Sequence, residues 1–393
     1  MNKNQGSFNY NFTIGIGSTF LILLCALLLI CSCIICAQDS RSKLFFDKEV
    51  TFKSGSNEIF GILTLPTTKG PHPAIVLLHG SDRAGVDSSY YKDHSYNLVQ
   101  SGFAVLRYDG PGWGGRSSES PGFETLEYRT QEAISAVKYL QSRAEIKSDA
   151  VGLWGISQGG WICQMAAASY YQIAFIIPVS GPGVTPAEQE VYRVEMQSRA
   201  MGFSEDEIAK AVLIRRLMVD VFLLKPKYEA VNYDQARRLG EGPWNELNEL
   251  VYSQDLIDTG QELGSLNKIF TAIKGEPWTK FLHLEQVLPM FKSLSPEQWE
   301  VVKLQFRSLM IVDPADYLTK VHTPVLAIFG QDDTSLPVAK SVALYEQYLG
   351  EAGNKNIMIK VFPNATHSIY VKGEFAPDYF KTISDWLKGL SSE

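Results

Sequence analysis

Four short, almost unbroken apolar runs constrain this chain most. They are residues 74–78 (AIVLL), 103–108 (FAVLRY), 150–154 (AVGLW) and 173–179 (IAFIIPV). Each is the length of one strand and too short for a buried helix, and a run without polar alternation is a strand covered on both faces. The intervening stretches 91–100, 125–142 and 157–168 carry helical spacing, so the pattern is a series of βαβ units with a parallel sheet. Two strands, 48–51 and 59–65, precede the series, joined by the turn residues Gly55, Ser56 and Asn57, and read as a hairpin. After residue 182 the rhythm stops. Residues 183–314 are rich in helical patterns, clearest at 191–201, 205–224 and 296–310, and Ser204 with Glu207 makes a capping box for the second. The rhythm resumes with a strand at 325–329, a helix at 338–349, a strand at 356–362 and a closing helix at 377–387. The fold class expected is therefore α/β, a mostly parallel central sheet with helices on both faces. Residues 38–182 and 316–393 form one catalytic domain, and 183–315 are a large helical lid inserted into it.

At 393 residues, 45% of them apolar, the chain can build such a domain with an insertion. Its net charge of −7 and the absence of any lysine- or arginine-rich run argue against nucleic acid as a partner. The first 37 residues read as a targeting segment. Residues 20–37 (FLILLCALLLICSCIICA) are uncharged and nearly all apolar, and only Lys3 carries charge ahead of them. Three readings stand: a signal peptide cleaved after Ala37, a bacterial lipobox with Cys33 as the lipidated residue, and an uncleaved membrane anchor. All three export the protein to the periplasm, the exterior or a membrane surface. Four of the five cysteines, Cys25, Cys31, Cys33 and Cys36, lie in this segment. Cys163 is alone in the remainder, cannot form an internal disulfide, and reads as a small buried residue on a helix.

The chemistry concentrates at Gly155-Ile156-Ser157-Gln158-Gly159-Gly160, a G-x-S-x-G run placed directly after a buried strand and opening a helix. A serine there occupies a strained turn that lifts its hydroxyl above the sheet, and the glycines on either side avoid collision with neighbouring backbone. A serine needs a base. His367, in the polar loop Pro363 to Ser368 after the last strand, fits the chain order serine, acid, histidine. The acid should follow a late strand, and in Gly330-Gln331-Asp332-Asp333 the spacing favours Asp333 over Asp332, its role being to hold the histidine's tautomer. Two backbone N–H groups should receive the negative charge of an oxyanion: that of Gln158, and that of Ser81 in the loop His79-Gly80-Ser81-Asp82. His79 is expected to shape this loop. His72, His283 and His322 read as structural, and His94 as a surface residue. Trp244, Trp278, Phe281 and Trp299 could line an acyl pocket, though helix core is the simpler reading. Asn364-Ala365-Thr366 fits a glycosylation pattern but adjoins the proposed base, so it reads as coincidence. No metal-ligand cluster stands out, and no metal site is expected.

Taken together, Leu78 to Ser81, Arg107 to Asp109 with Gly112 and Gly114 to Ser117, Gly155 to Gly160, Gly330 to Asp333 and Ala365 to His367 resemble the α/β-hydrolase superfamily, near its bacterial carboxylesterases of the dienelactone-hydrolase and prolyl-oligopeptidase branch. The resemblance covers about residues 49–181 and 323–386. It implies hydrolysis of small-molecule esters through an acyl-enzyme, without a cofactor. Pro111 departs from the family, many of whose members have an arginine in the loop after Asp109. The same triad serves peptidases, amidases and thioesterases, and a catalytically inactive binding protein on this scaffold is the alternative of a different class. Serine at position 157 conflicts with an aspartate-nucleophile dehalogenase.

Overall fold

The computed structural model describes residues 44–82, 84–119, 124–223, 273, 275–279 and 293–390. Residues 1–37, Trp244, Phe281 and His283 lie outside them, so the readings made for these lie outside the described residues as well. Among the described residues no helix is long and apolar enough to cross a membrane.

Strands β1 (Phe45–Ser54) and β2 (Asn57–Pro66) form the expected hairpin around Gly55, which takes a positive φ of 57°. The chain continues through β3 (His72–Leu78), α1 (Ser89–Val99), β4 (Ala104–Tyr108), α2 (Leu126–Gln141), β5 (Ile146–Ile156), α3 (Gln158–Ser169) and β6 (Ile176–Val179). Helices α4 (Pro186–Ala200) and α5 (Glu205–Leu223), a 3-10 turn at Pro277–Thr279 and α6 (Pro296–Met310) follow. Then come α7 (Ala315–Leu318), β7 (Val325–Gly330), α8 (Val338–Glu351), β8 (Ile357–Phe362) and α9 (Tyr379–Leu390). A short hairpin, β9 (Tyr370–Val371) with β10 (Glu374–Phe375), lies between β8 and α9 and had no signal in the sequence pattern.

The main sheet has eight strands in the order β1-β2-β4-β3-β5-β6-β7-β8. β1, β2 and β4 pair antiparallel, and every pairing from β4 through β8 is parallel. The parallel strands read as unbroken apolar runs because they are covered on both sides. One face packs through Val76, Leu106, Leu153 and Ala327 against α2 and α3, and the other through Ile75, Trp154, Ile177 and Ile328 against α1 and α9. The chain leaves β3 to build β4 on one side and returns to add β5 on the other. The crevice beyond the carboxyl ends of β3 and β5 is thus a topological switch point, where open α/β sheets bind ligands.

Between β6 and β7 the described residues are helical, without a strand. α4 and α5 pack as a pair whose buried side includes Ala187, Val194, Ile208, Ala211 and Ile214. Ser204 and Glu207 form the reciprocal cap at the start of α5, the Ser204 N–H donating to the Glu207 carboxylate at 2.8 Å and the Glu207 N–H to the Ser204 hydroxyl at 3.3 Å. Cys163 is buried on α3, where burial pushes its thiol pKa up.

His94 corrects the sequence reading. It is not a surface residue but fully buried, Nδ1 against the Tyr90 carbonyl at 2.7 Å and Nε2 against the Tyr379 hydroxyl at 3.0 Å. Its ring lies 4.3 Å from that of Trp154, and Trp154 Nε1 donates to the same Tyr379 hydroxyl at 3.2 Å. A polar residue on α1 looked solvated because the groups that enclose its ring, Trp154 and Tyr379, come from β5 and α9, remote in sequence. His94 thereby ties the closing helix to the sheet. His94→Phe removes both hydrogen bonds in a packed site and is expected to cost about 1–3 kcal/mol. Urea denaturation would show it as a lowered midpoint, and an unchanged midpoint would contradict this role.

Candidate active site

Ser157 follows the last residue of β5 and precedes the first of α3, with φ 54° and ψ −117°. Its hydroxyl makes no helix-capping hydrogen bond, so the serine is not acting as an ordinary cap. Its backbone N–H is fixed to the Val179 carbonyl at 2.9 Å, and its carbonyl accepts the Gly160 N–H at 2.8 Å. A left-handed conformation at a non-glycine residue is strained and persists only where the surroundings enforce it. Here the enforcement is backbone contact. A Cβ on Gly155 would lie 2.3 Å from the Gly159 carbonyl oxygen, one on Gly159 2.6 Å from that of Leu78, and one on Gly160 2.3 Å from the Gly181 Cα.

Asp333 lies three residues past β7, its side chain fully buried, and its Oδ2 is 2.7 Å from Nδ1 of His367. Its Oδ1 accepts the Ser335 N–H at 2.7 Å, so both oxygens are occupied and oriented. Asp332 is exposed, and its N–H serves the loop by bonding the Ala365 carbonyl at 2.9 Å. Gly330 lets the two loops meet, since a Cβ there would be 2.2 Å from the Thr366 carbonyl oxygen. The His367 side chain is 26% exposed, open enough to exchange a proton with a bound molecule. Asp333 and His367 are thus in direct contact, while Ser157 reaches His367 through backbone. Its N–H bonds Val179, and the next residue, Ser180, donates its hydroxyl to the His367 carbonyl at 2.7 Å.

The loop after β3 closes the other side. A Cβ on Gly80 would be 3.6 Å from the Ser157 Cβ, so the loop at Gly80 lies beside the Ser157 turn. The Gly80 N–H is taken by the Tyr91 hydroxyl at 3.1 Å, which leaves Ser81 as this loop's candidate donor. Gln158, the first residue of α3, has its N–H among those at a helix start that have no intrahelical acceptor. His79 is wholly buried against the rings of Tyr91, 4.1 Å away, and Trp113, 5.3 Å away.

Sequence reasoning missed Arg129. It stands on α2, 5% exposed, and donates to the carbonyls of His79 (2.7 Å) and Gly80 (3.1 Å). It also donates to the Gln158 side-chain oxygen and lies over the Trp113 ring at 5.4 Å. The available signal was a charge on the otherwise apolar face marked by Leu126, Ala133 and Val137. The loop after Asp109 was also underread. Where Pro111 replaces the expected arginine, Arg116 supplies the charge, pairing with the buried Asp109 at 2.8 Å and with Asp87 at 2.9 Å. On α4, the Tyr192 phenol pKa is raised by burial and then by the negative charge of Asp333. A separate cavity of about 340 Å³ at the foot of that block is lined by Val184, Glu188, Met310, Asp313, Lys340 and Tyr348; Ser157, Asp333 and His367 are not in its walls. Among the described residues no group of histidine, cysteine and carboxylate side chains could hold a metal.

Residues 75–376 match the alpha/beta hydrolase family. The chain belongs to this family. Among similar proteins, esterase EstD of Thermotoga maritima is 32% identical over 108 residues, 26% of this chain and 25% of that protein, so the match spans about a quarter of its length. An uncharacterized 31.7 kDa protein of Escherichia coli is 28% identical over 327 residues, covering 81% of this chain and 91% of that protein. Among solved structures, an esterase of Pyrococcus furiosus superposes with a TM-score of 0.53 at 15% identity, over 89% of this chain and 93% of that one, a likeness of fold.

Two buried groups, His79 and Glu132, make the stability of the fold depend on pH in opposite senses. Burial, followed by the charge of Arg129, lowers the His79 pKa from 6.5 to about 3. The unfolded chain binds this proton below 6.5 and the fold does not, so stability falls as pH drops through that window. Burial raises the Glu132 pKa from 4.5 to about 8 against the opposing effect of Arg129. The fold then holds a proton that the unfolded chain releases, and stability falls as pH rises from 4.5 to 8. Glu132→Gln is expected to gain stability relative to wild type between pH 5 and pH 8, measured by urea midpoints. An equal difference at both pH values would contradict a protonated Glu132.

Proposed function

We propose that this hydrolase cleaves carboxylic esters of small or medium size through an acyl-enzyme on Ser157. The observation that carries the reading is the strained, left-handed Ser157 held above the sheet beside loops that hold the bonded pair Asp333 and His367. The hydroxyl of Ser157 would attack the ester carbonyl carbon while His367 Nε2 takes its proton. Asp333, hydrogen-bonded at Nδ1, would fix the tautomer that leaves Nε2 able to accept and would stabilise the imidazolium that results. The carbonyl oxygen, now negative, would be received by the N–H groups of Gln158 and Ser81. Collapse of the tetrahedral species expels the alcohol, to which His367 returns the proton. Water activated by the same histidine then attacks the acyl carbon, freeing the acid and Ser157.

The esterase names of similar proteins support an ester over an amide as the substrate. In this reading the α4–α6 block is the lid, and residues 1–37 export the enzyme.

Steady-state hydrolysis of p-nitrophenyl acetate and a longer-chain p-nitrophenyl ester tests the proposal. Ser157→Ala should lower kcat by about 10⁴-fold or more, and Asp333→Asn by on the order of 10³–10⁴-fold with little change in KM. Full activity in Ser157→Ala would remove the serine from the mechanism.

A further inference from the structure

We infer that Arg129 is a positioning residue for the oxyanion hole, aligning its two halves from behind. The inference rests on the hydrolase reading above. The decisive fact is that one guanidinium engages two consecutive carbonyls and the neighbouring glutamine. Nη2 holds the His79 oxygen at 2.7 Å, and Nη1 holds the Gly80 oxygen at 3.1 Å together with Gln158 Oε1.

A trans peptide is planar, with its C=O and N–H on opposite edges. The plane joining His79 to Gly80 shows the consequence: its oxygen lies on Arg129 and its N–H is bonded by the Tyr91 hydroxyl at 3.1 Å. The next plane, joining Gly80 to Ser81, also has its oxygen on Arg129, so its N–H, the candidate donor of Ser81, is turned away from the guanidinium. Glycine at position 80 has no Cβ to bias that plane, and the cation sets its orientation instead. A cation on the carbonyl also draws electron density from the amide and strengthens the N–H as a donor. The bond to Gln158 fastens the first residue of α3, whose N–H is the other candidate donor, to the same planar group. Arg129 is held in turn by the ring of Trp113 at 5.4 Å and by burial. Lysine cannot reproduce this arrangement, because an ammonium is a single point and the guanidinium is a fixed fork.

The test compares Arg129→Lys and Arg129→Gln with wild type in the full chain. Rates are expressed per active site titrated with a fluorophosphonate, so that any loss of folded protein is divided out. Arg129→Gln should lower kcat for p-nitrophenyl acetate by about 30- to 100-fold with KM within threefold, a fraction of the loss seen when an oxyanion donor is removed outright. Affinity for a trifluoromethyl ketone, which forms a tetrahedral oxyanion, should fall in parallel with kcat/KM, and Arg129→Lys should recover part of both. Should Arg129→Gln fail to fold, the lysine variant alone carries the comparison. Unchanged kcat per titrated site, or undiminished trifluoromethyl ketone affinity, overturns the inference while leaving the hydrolase reading intact. Absence of Ser157-dependent labelling in wild type overturns both.

Discussion

Backbone lies directly against backbone along the carboxyl edge of the sheet, and the site depends on that contact. Gly155 meets Gly159, Gly159 meets the carbonyls of Leu78 and His79, Gly160 meets Gly181, and Gly330 meets the Thr366 carbonyl. Each approach is closer than a Cβ would allow. Together they draw the ends of β3, β5, β6 and β7 to within reach of one another, and the strained φ of Ser157 is what remains once those backbones are in place. The loops that carry Ser157, Asp333 and His367 approach the loop after β3 because the main chain has been stripped to glycine where it must touch.

Around this edge the molecule spends buried charge with care. Arg107 is bonded to Asp47, Thr64 and the Val86 carbonyl, Asp109 to Arg116 and the Val86 N–H, and Arg129 to three oxygens. Each of these cations and carboxylates holds a loop that leaves the sheet on its carboxyl side. A buried charge costs solvation that only several well-formed hydrogen bonds offset, which makes such groups poor general stabilisers and good determinants of loop conformation. His79 and Glu132, buried beside them, are kept neutral instead, the first by losing its proton and the second by retaining it.

What was legible in the sequence was what local pattern determines. The buried strands announced themselves through unbroken apolar runs, the serine turn through its glycines, and the preference for Asp333 over Asp332 through spacing from β7; the structure gives Asp333 the bond to His367. What was not legible depends on partners far along the chain. His94 reads as a polar helix residue until Tyr379 and Trp154 are brought to it. Arg129 has no reading in the local pattern, because the carbonyls it holds belong to a loop 50 residues earlier. The β9–β10 hairpin has only two residues per strand, too short for any periodicity to register.

Whether Ser157 is the residue that becomes acylated can be read by peptide-level mass spectrometry after brief exposure to a fluorophosphonate. One phosphonyl adduct is expected, on the peptide containing Ser157, lost in Ser157→Ala and slowed in Asp333→Asn. An adduct on another residue, or none on folded wild-type protein, would contradict it.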